Sequence, residues 1–275
     1  MGETAVPTGS QGGTMGWMSP EEIEWDNGGS ARGVAFQAHL SGDIHTAGSI
    51  VYYVLSGGVH CFGSVSYKQQ AAISDGTADF GALEGSDTIA VDLVARMVRR
   101  SPTKRLKISQ VADHPLFWSD MQRIEKIRGW RTSWRRGRDL DRRLAAHADS
   151  MSSILSGGGG GRGWLGVLDR EVADRLSAWE DGRYDGNNVL DLIRAIRNIY
   201  EHWFETAGRA ELPADAMLAL TVLTGWSSEA EMRKGRASAE AQGMQAAAVS
   251  RYFLSERRFA ALLLVFEFAK AWSGE

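Results

Sequence analysis

The chain has 275 residues, 43% hydrophobic with ten tryptophans, and its 31 Lys and Arg against 34 Asp and Glu give a formal charge of −3. That apolar content suffices for one large core or two small ones and excludes an intrinsically disordered chain. The near-neutral charge excludes a chain-wide polycation, so any grip on a phosphate backbone must come from local clusters. Cys61 is the single cysteine, which excludes an intramolecular disulfide and a multi-cysteine zinc site.

Met1 to Gln11 lacks the basic and then apolar pattern of a secretory signal, and no run of 18 apolar residues occurs. A cytoplasmic, reducing location is therefore expected. Residues 1–12 are small and polar and predict a disordered start. From Asp43 to Ser56 apolar residues fall almost all round the helical wheel (Ile44, Ala47, Ile50, Val51, Tyr53, Val54, Leu55), which predicts a buried helix stopped at Gly57-Gly58. A second helix is predicted around Ile89–Arg99, ending before Pro102. A third should begin near Ile108 and stop at His114-Pro115, because the residue before proline resists the helical region.

Composition then shifts. Gln122 to His147 carries nine Lys or Arg against three acids, a net charge of +6, with Trp130 and Trp134 interleaved. The run is either a solvated helical face or a surface for a phosphate backbone with aromatics for stacking. Five consecutive glycines, Gly157 to Gly161, follow. With no strand before them and no Lys-Ser/Thr after them they read as a flexible loop rather than a phosphate cradle. Val189, Leu192, Ile193, Ile196, Tyr200 and Trp203 recur at helical spacing as one apolar stripe. Ser227 to Met244 is polar and alanine-rich and reads as an exposed helix or insertion. Tyr252 to Trp272 reads as an apolar core helix.

Two resemblances follow one another along the chain. Gly13-Thr14-Met15-Gly16-Trp17-Met18-Ser19-Pro20-Glu21 resembles the end of a protein-kinase activation segment, with Ser19 where that family writes alanine in Ala-Pro-Glu. Asp43-Ile44-His45-Thr46-Ala47-Gly48 resembles the opening of the central helix of the kinase C-lobe. Arg105 matches the arginine that pairs with the motif's glutamate, here Glu21. Glu21, Asp43 and Arg105 are thus expected to be structural residues of a partial C-lobe over 13–120. The chain contains no Val-Ala-Ile-Lys and no His-Arg-Asp, and its Asp79-Phe80-Gly81 lies after Ser19-Pro20-Glu21, whereas the kinase Asp-Phe-Gly precedes Ala-Pro-Glu. Phosphoryl transfer needs those parts, so the kinase activity and the ATP and Mg²⁺ of the full-length family are not expected here.

His114-Pro115-Leu116-Phe117-Trp118 resembles the junction that follows the kinase in the stress-sensing kinase-endoribonucleases, the inositol-requiring enzyme family of the unfolded-protein response and its relative ribonuclease L. Tyr184-Asp185-Gly186 and the segment Asp191 to His202 look like the signature of their kinase-extension nuclease domain. The four active-site positions map without a gap onto Tyr184, Arg197, Asn198 and His202, and the resemblance covers roughly Gly13 to Trp272. It implies a mainly α protein, with a partial kinase C-lobe followed by an all-helical nuclease domain over 121–275. It also implies an N-terminally truncated fragment that acts on RNA as a homodimer or higher assembly, on the cytosolic face of the endoplasmic reticulum membrane in the full-length protein.

The residue types suit metal-independent RNA cleavage, in which the 2′-hydroxyl attacks the adjacent phosphate to leave a 2′,3′-cyclic phosphate and a 5′-hydroxyl. His202 can protonate the leaving oxygen, Arg197 can fork onto phosphate oxygens, and Asn198 can donate a neutral hydrogen bond. The resemblance makes Tyr184 the base, helped by Arg197 or another cation. Glu201 reads as a surface ion-pair partner of Arg197 with no catalytic part, and His39, His45, His60, His114 and His147 as structural or surface residues. No cofactor is expected for RNA cleavage. Alternatives are a non-catalytic dimerisation scaffold and a ribonuclease L-like enzyme of general RNA decay.

Overall fold

The computed structural model describes residues 6–8, 14–29, 36–38, 40–83, 87–134, 163–177, 184–203, 239–254 and 262. For 6–8, 29, 36–38, 130–134, 202–203 and 239–244 it describes the backbone alone. The chain divides into two compact units, Met1–Phe117 and Trp118–Glu275, so the division falls inside the His114–Trp118 segment. Among the described residues helices dominate, and none is long and apolar enough to cross a membrane.

The first unit opens on strand β1 (Val6–Thr8), paired antiparallel with β2 (Phe36–Ala38), Val6 opposite Ala38 and Thr8 opposite Phe36. This corrects the expectation of an unstructured start at these three residues. A three-residue strand is too short to show alternation in a sequence, and Pro7 is tolerated in a two-stranded ribbon, where every residue is on an edge. Helix α1 (Pro20–Glu24) begins with proline in its first turn, where no backbone donor is needed, and the Ser19 N–H donates to Glu22 Oε2 at 2.5 Å.

Helix α2 (Leu40–Leu55) starts three residues before Asp43. It buries Ile44, His45, Gly48, Ser49 and Tyr52, whereas Ile50, Tyr53, Val54 and Leu55 are 41–69% exposed. The prediction of burial all round is therefore wrong for its C-terminal half. An apolar wheel reports what a helix could bury and not whether neighbours exist to cover it. Helix α3 (Ser66–Asp75) buries only Ile73 and ends at Gly76, which takes the left-handed φ of +72°. Helix α4 (Thr88–Met97) is N-capped by Asp87, whose side chain accepts from the Ala90 N–H at 2.8 Å. It lies against α2, where Gly48 faces the end of α4. A Cβ there would meet Met97 Cβ at 2.7 Å and Val98 Cγ1 at 2.9 Å. The unit's core joins Ile23, Tyr52, Cys61, Phe62, Ile73, Ala90 and Val94, with Ile44, Leu93, Met97, Leu106 and Val111 on the other side of α4.

Two histidines in this unit are structural. His45 is buried with its ring stacked on Phe62, and burial, assisted by the charge of Arg105, lowers its pKa from 6.5 to about 4. His114 follows helix α5 (Ile108–Ala112). Its Nδ1 accepts from the Leu116 N–H at 3.3 Å, so Nε2 carries the proton toward Asp92 Oδ2 at 3.1 Å. His39 and His147 lie outside the described residues.

The second unit has helices α6 (Asp120–Trp134), α7 (Arg170–Ser177), α8 (Val189–Asn198) and α9 (Ala239–Phe253), with α6 packed against both α8 and α9. Ile124 and Ile127 of α6, Val172 and Leu176 of α7, Leu192 and Ile196 of α8, and Val249 and Phe253 of α9 are fully or almost fully buried. Residues 239–244 of the alanine-rich stretch open α9, and the rest of that stretch lies outside the described residues. Beyond Met244 the helix buries Ala246, Ala248 and Val249. Tyr252 lies in the last turn of this helix, so the apolar segment expected to start a new helix there begins inside α9. Small side chains give little periodic signal, so the extent of α9 is not visible as a stripe. Of the basic run, 135–147 lies outside the described residues, as do the five glycines and most of 252–272.

Candidate active site

The loop that carries Tyr184 is held from below by the Gly163–Val167 turn. Trp164 is fully buried, and its indole N–H donates to the carbonyl oxygens of Asp185 at 3.0 Å and Asn188 at 3.1 Å. The Trp164 backbone N–H donates to the Gly186 carbonyl at 2.9 Å. Gly163 has φ +55°, and a Cβ on it would sit 2.0 Å from the Gly186 oxygen, so only glycine fits. From the other side the Asp185 N–H donates to Asp191 Oδ2 at 2.7 Å. Asn188 caps α8 by accepting from the Leu190 N–H at 2.9 Å. The sequence reading missed Gly163 and Trp164 as supports for this loop.

Helix α8 docks by its stripe, with Val189, Leu192, Ile193, Ala195 and Ile196 buried, and turns its polar side toward the loop. Asn198 Nδ2 donates to the Tyr184 hydroxyl at 3.0 Å, and Arg197 Nη1 donates to Asn198 Oδ1 at 3.2 Å. Tyr184, Asn198 and Arg197 therefore form one hydrogen-bonded chain. The Tyr184 ring lies edge-on to Trp164, with centroids 6.1 Å apart, and under the Arg194 guanidinium at 4.7 Å. The cation over Tyr184 is thus Arg194, where the sequence reading had offered Arg197 first. Arg194 in turn pairs with Asp191 at 3.3 Å.

At Ile199 the helix loosens into a π-helical turn, Ile199–Trp203, a widening common at functional sites. His202 lies in this turn, and its side chain is outside the described residues. Glu201 is no surface residue. Its side chain is 20% exposed, Oε2 pairs with Arg197 Nη2, and Oε1 accepts from Arg128 Nε of α6 at 3.3 Å. Arg128 also lies over the Tyr200 ring at 5.4 Å. Burial raises the Tyr200 phenol above its ordinary pKa.

In the first unit the structure brings Glu21 and Arg105 together. Arg105 Nη1 and Nη2 donate to the two Glu21 carboxylate oxygens at 2.6 and 2.7 Å, and the guanidinium also donates to the carbonyls of Ser41, Arg99 and Arg100. Burial by itself would raise the Glu21 pKa, but the Arg105 hydrogen bonds hold it below the ordinary carboxylate value. Asp43 is placed apart, exposed in the first turn of α2. Both Glu21 oxygens are taken by arginine, and among the described residues no group of three His, Cys, Asp or Glu is arranged to hold a metal.

Comparison with known proteins matches residues 136–214 to the family described as Ribonuclease 2-5A, a span that contains Tyr184, Arg197, Asn198 and His202. The human serine/threonine-protein kinase/endoribonuclease IRE2 is 31% identical over 214 residues, covering 76% of this chain and 20% of the human protein. The sensor for unfolded proteins in the ER ire1 of Schizosaccharomyces pombe is 28% identical over 203 residues, 70% of this chain and 18% of its own. The Caenorhabditis elegans kinase/endoribonuclease ire-1 is 29% identical over 210 residues, 76% and 19%. The chain thus spans about a fifth of the length of these relatives. It belongs to the IRE1 family of kinase/endoribonucleases.

Proposed function

We propose that the second unit is an endoribonuclease that cleaves RNA through 2′-hydroxyl attack, with no metal ion in the step, and that the kinase-like unit transfers no phosphoryl group. The observation that carries the reading is the hydrogen-bonded chain from the Tyr184 hydroxyl through Asn198 to Arg197. It places a phenol, an amide and a guanidinium beside the helical turn that holds His202.

RNA brings its own nucleophile, so the protein must accept one proton, hold the crowded phosphate and return one proton. Tyr184 accepts the 2′-hydroxyl proton or orients that group, and Arg194 supplies positive charge next to the phenol. Arg197 takes the nonbridging phosphate oxygens. Asn198 fixes Tyr184 and can shift its amide toward the phosphate or ribose. His202 protonates the 5′-oxygen as it leaves, the work for which an imidazole is suited as a general acid. The products are a 2′,3′-cyclic phosphate and a 5′-hydroxyl.

The relatives' names supply the setting. We place the chain in unfolded-protein-response RNA processing, at the cytosolic face of the endoplasmic reticulum, acting as a self-associating dimer. The exposed apolar half of α2 favours a second reading, a scaffold whose nuclease site is idle. Cleavage of a stem-loop RNA in EDTA, at several protein concentrations, separates the two. We expect cleavage that rises steeply with concentration and falls by about 100-fold or more in His202→Ala, the scale for losing a general acid. A folded, dimeric chain that leaves the RNA intact would establish the scaffold instead.

A further inference from the structure

Two arginines from different helices converge on one carboxylate. Glu201 Oε1 accepts from Arg128 Nε at 3.3 Å, and Oε2 pairs with Arg197 Nη2. The Arg128 and Arg197 side chains are 45% and 19% exposed, so solvent and solutes reach the pair. A carboxylate bridged by two guanidinium groups occupies the kind of seat a phosphate would take, since both anions offer oxygens that match the planar fork of arginine.

The bridge is not needed to build the turn it sits on. Arginine four residues before glutamate is the weaker order for a helical pair, and the turn is π-helical in any case. Arg128 has a second anchor, the Tyr200 ring, which keeps its guanidinium in place when the carboxylate departs. Arg128 also belongs to the basic run that the cleavage chemistry leaves without a task.

We infer that Arg128 and Arg197 form a two-arginine seat for an RNA phosphodiester, and that Glu201 is an internal anion which the substrate displaces on binding. The inference rests on the ribonuclease reading above and adds Arg128 as a substrate-binding residue. Glu201 sets affinity by competing for the seat, so its removal strengthens binding where removal of a mere support would weaken catalysis.

The test uses the full chain and a fluorescent stem-loop RNA with a 2′-deoxy sugar at the scissile position, which binds without being cut. Anisotropy across a salt series gives Kd and its salt dependence, and the all-ribose RNA gives kcat in parallel. Arg128→Ala should raise Kd by about three- to tenfold and reduce the slope of log Kd against log salt by about 1, with partial recovery in Arg128→Lys. Glu201→Gln, which keeps the side-chain shape, should lower Kd by about three- to tenfold by removing a like charge from the seat. A lower kcat at unchanged Kd in Glu201→Gln overturns the inference, because Glu201 would then support Arg197 and not compete with substrate. Unchanged Kd and salt slope in Arg128→Ala overturns it as well. A wild-type chain that binds the deoxy RNA but never cuts the ribose RNA refutes the ribonuclease reading alone, and the Kd values still judge the seat.

Discussion

At the scale of single residues, Arg105 and Arg197 do opposite work. Arg105 is wholly enclosed, and its five hydrogen bonds tie Glu21 to the backbone at Ser41, Arg99 and Arg100. A buried pair gains little over an apolar replacement of both partners, because desolvation offsets attraction. Removing one partner is costly because it strands the other. Arg105→Ala should therefore lower stability by about 3–5 kcal/mol, and Arg105→Lys should recover only part of it, since an ammonium cannot reproduce the fork. The urea midpoint at neutral pH measures this. A loss below about 1 kcal/mol would mean that water or a neighbour relieves Glu21. Arg197, by contrast, is partly open and shared between Asn198 and Glu201, which suits a group that must exchange partners when a phosphate arrives.

Among the helices, two glycines give a matched test of packing against propensity. At Gly48 a Cβ would fall 2.7 Å from Met97 Cβ and 2.9 Å from Val98 Cγ1, so alanine forces α2 and α4 apart. Overpacking of this kind costs about 1–3 kcal/mol, whereas replacing a helical glycine by alanine gains at most about 1 kcal/mol. Packing wins, and Gly48→Ala should destabilise the first unit. Nothing lies within 4 Å of a Cβ at Gly129 on α6, so there propensity acts unopposed and Gly129→Ala should stabilise by up to about 1 kcal/mol. Thermal melts of the two variants would shift in opposite directions, and equal shifts would show that close approach at Gly48 does not limit the helix pair. The same elements mark what a sequence can show. Helices α4, α5 and α8 were legible because their apolar residues repeat at helical spacing and proline or a capping residue marks an end. The β1–β2 ribbon was too short for a pattern, α9 hid behind alanines, and the exposure of Tyr53, Val54 and Leu55 depends on neighbours that no local pattern encodes.

For the molecule as a whole, the candidate site was legible where chemistry is written in residue identity, at Tyr184, Arg197 and Asn198, which the structure gathers into one chain of hydrogen bonds. It was illegible where position depends on tertiary approach. Gly163 is 21 residues before Tyr184 and Arg128 is 73 before Glu201, and nothing local ties either pair together. All of these residues belong to the second unit, as do the buried side chains of α6, α7, α8 and α9 that hold them. Trp164, Leu176, Leu192, Ile196 and Phe253 are each almost or wholly removed from water. Burying a side chain of this size contributes about 1.5–3 kcal/mol, and helices α6, α8 and α9 of this unit pack against one another. A chain reduced to residues 118–275 should then fold alone, with helical circular dichroism and a single cooperative melt. It should also bind the uncleavable stem-loop RNA with the Kd of the full chain, because both arginines of the proposed seat are present. A broad, non-cooperative melt would show that the second unit depends on the first for its core. A cooperative melt with weakened binding would show instead that the first unit contributes surface to the RNA.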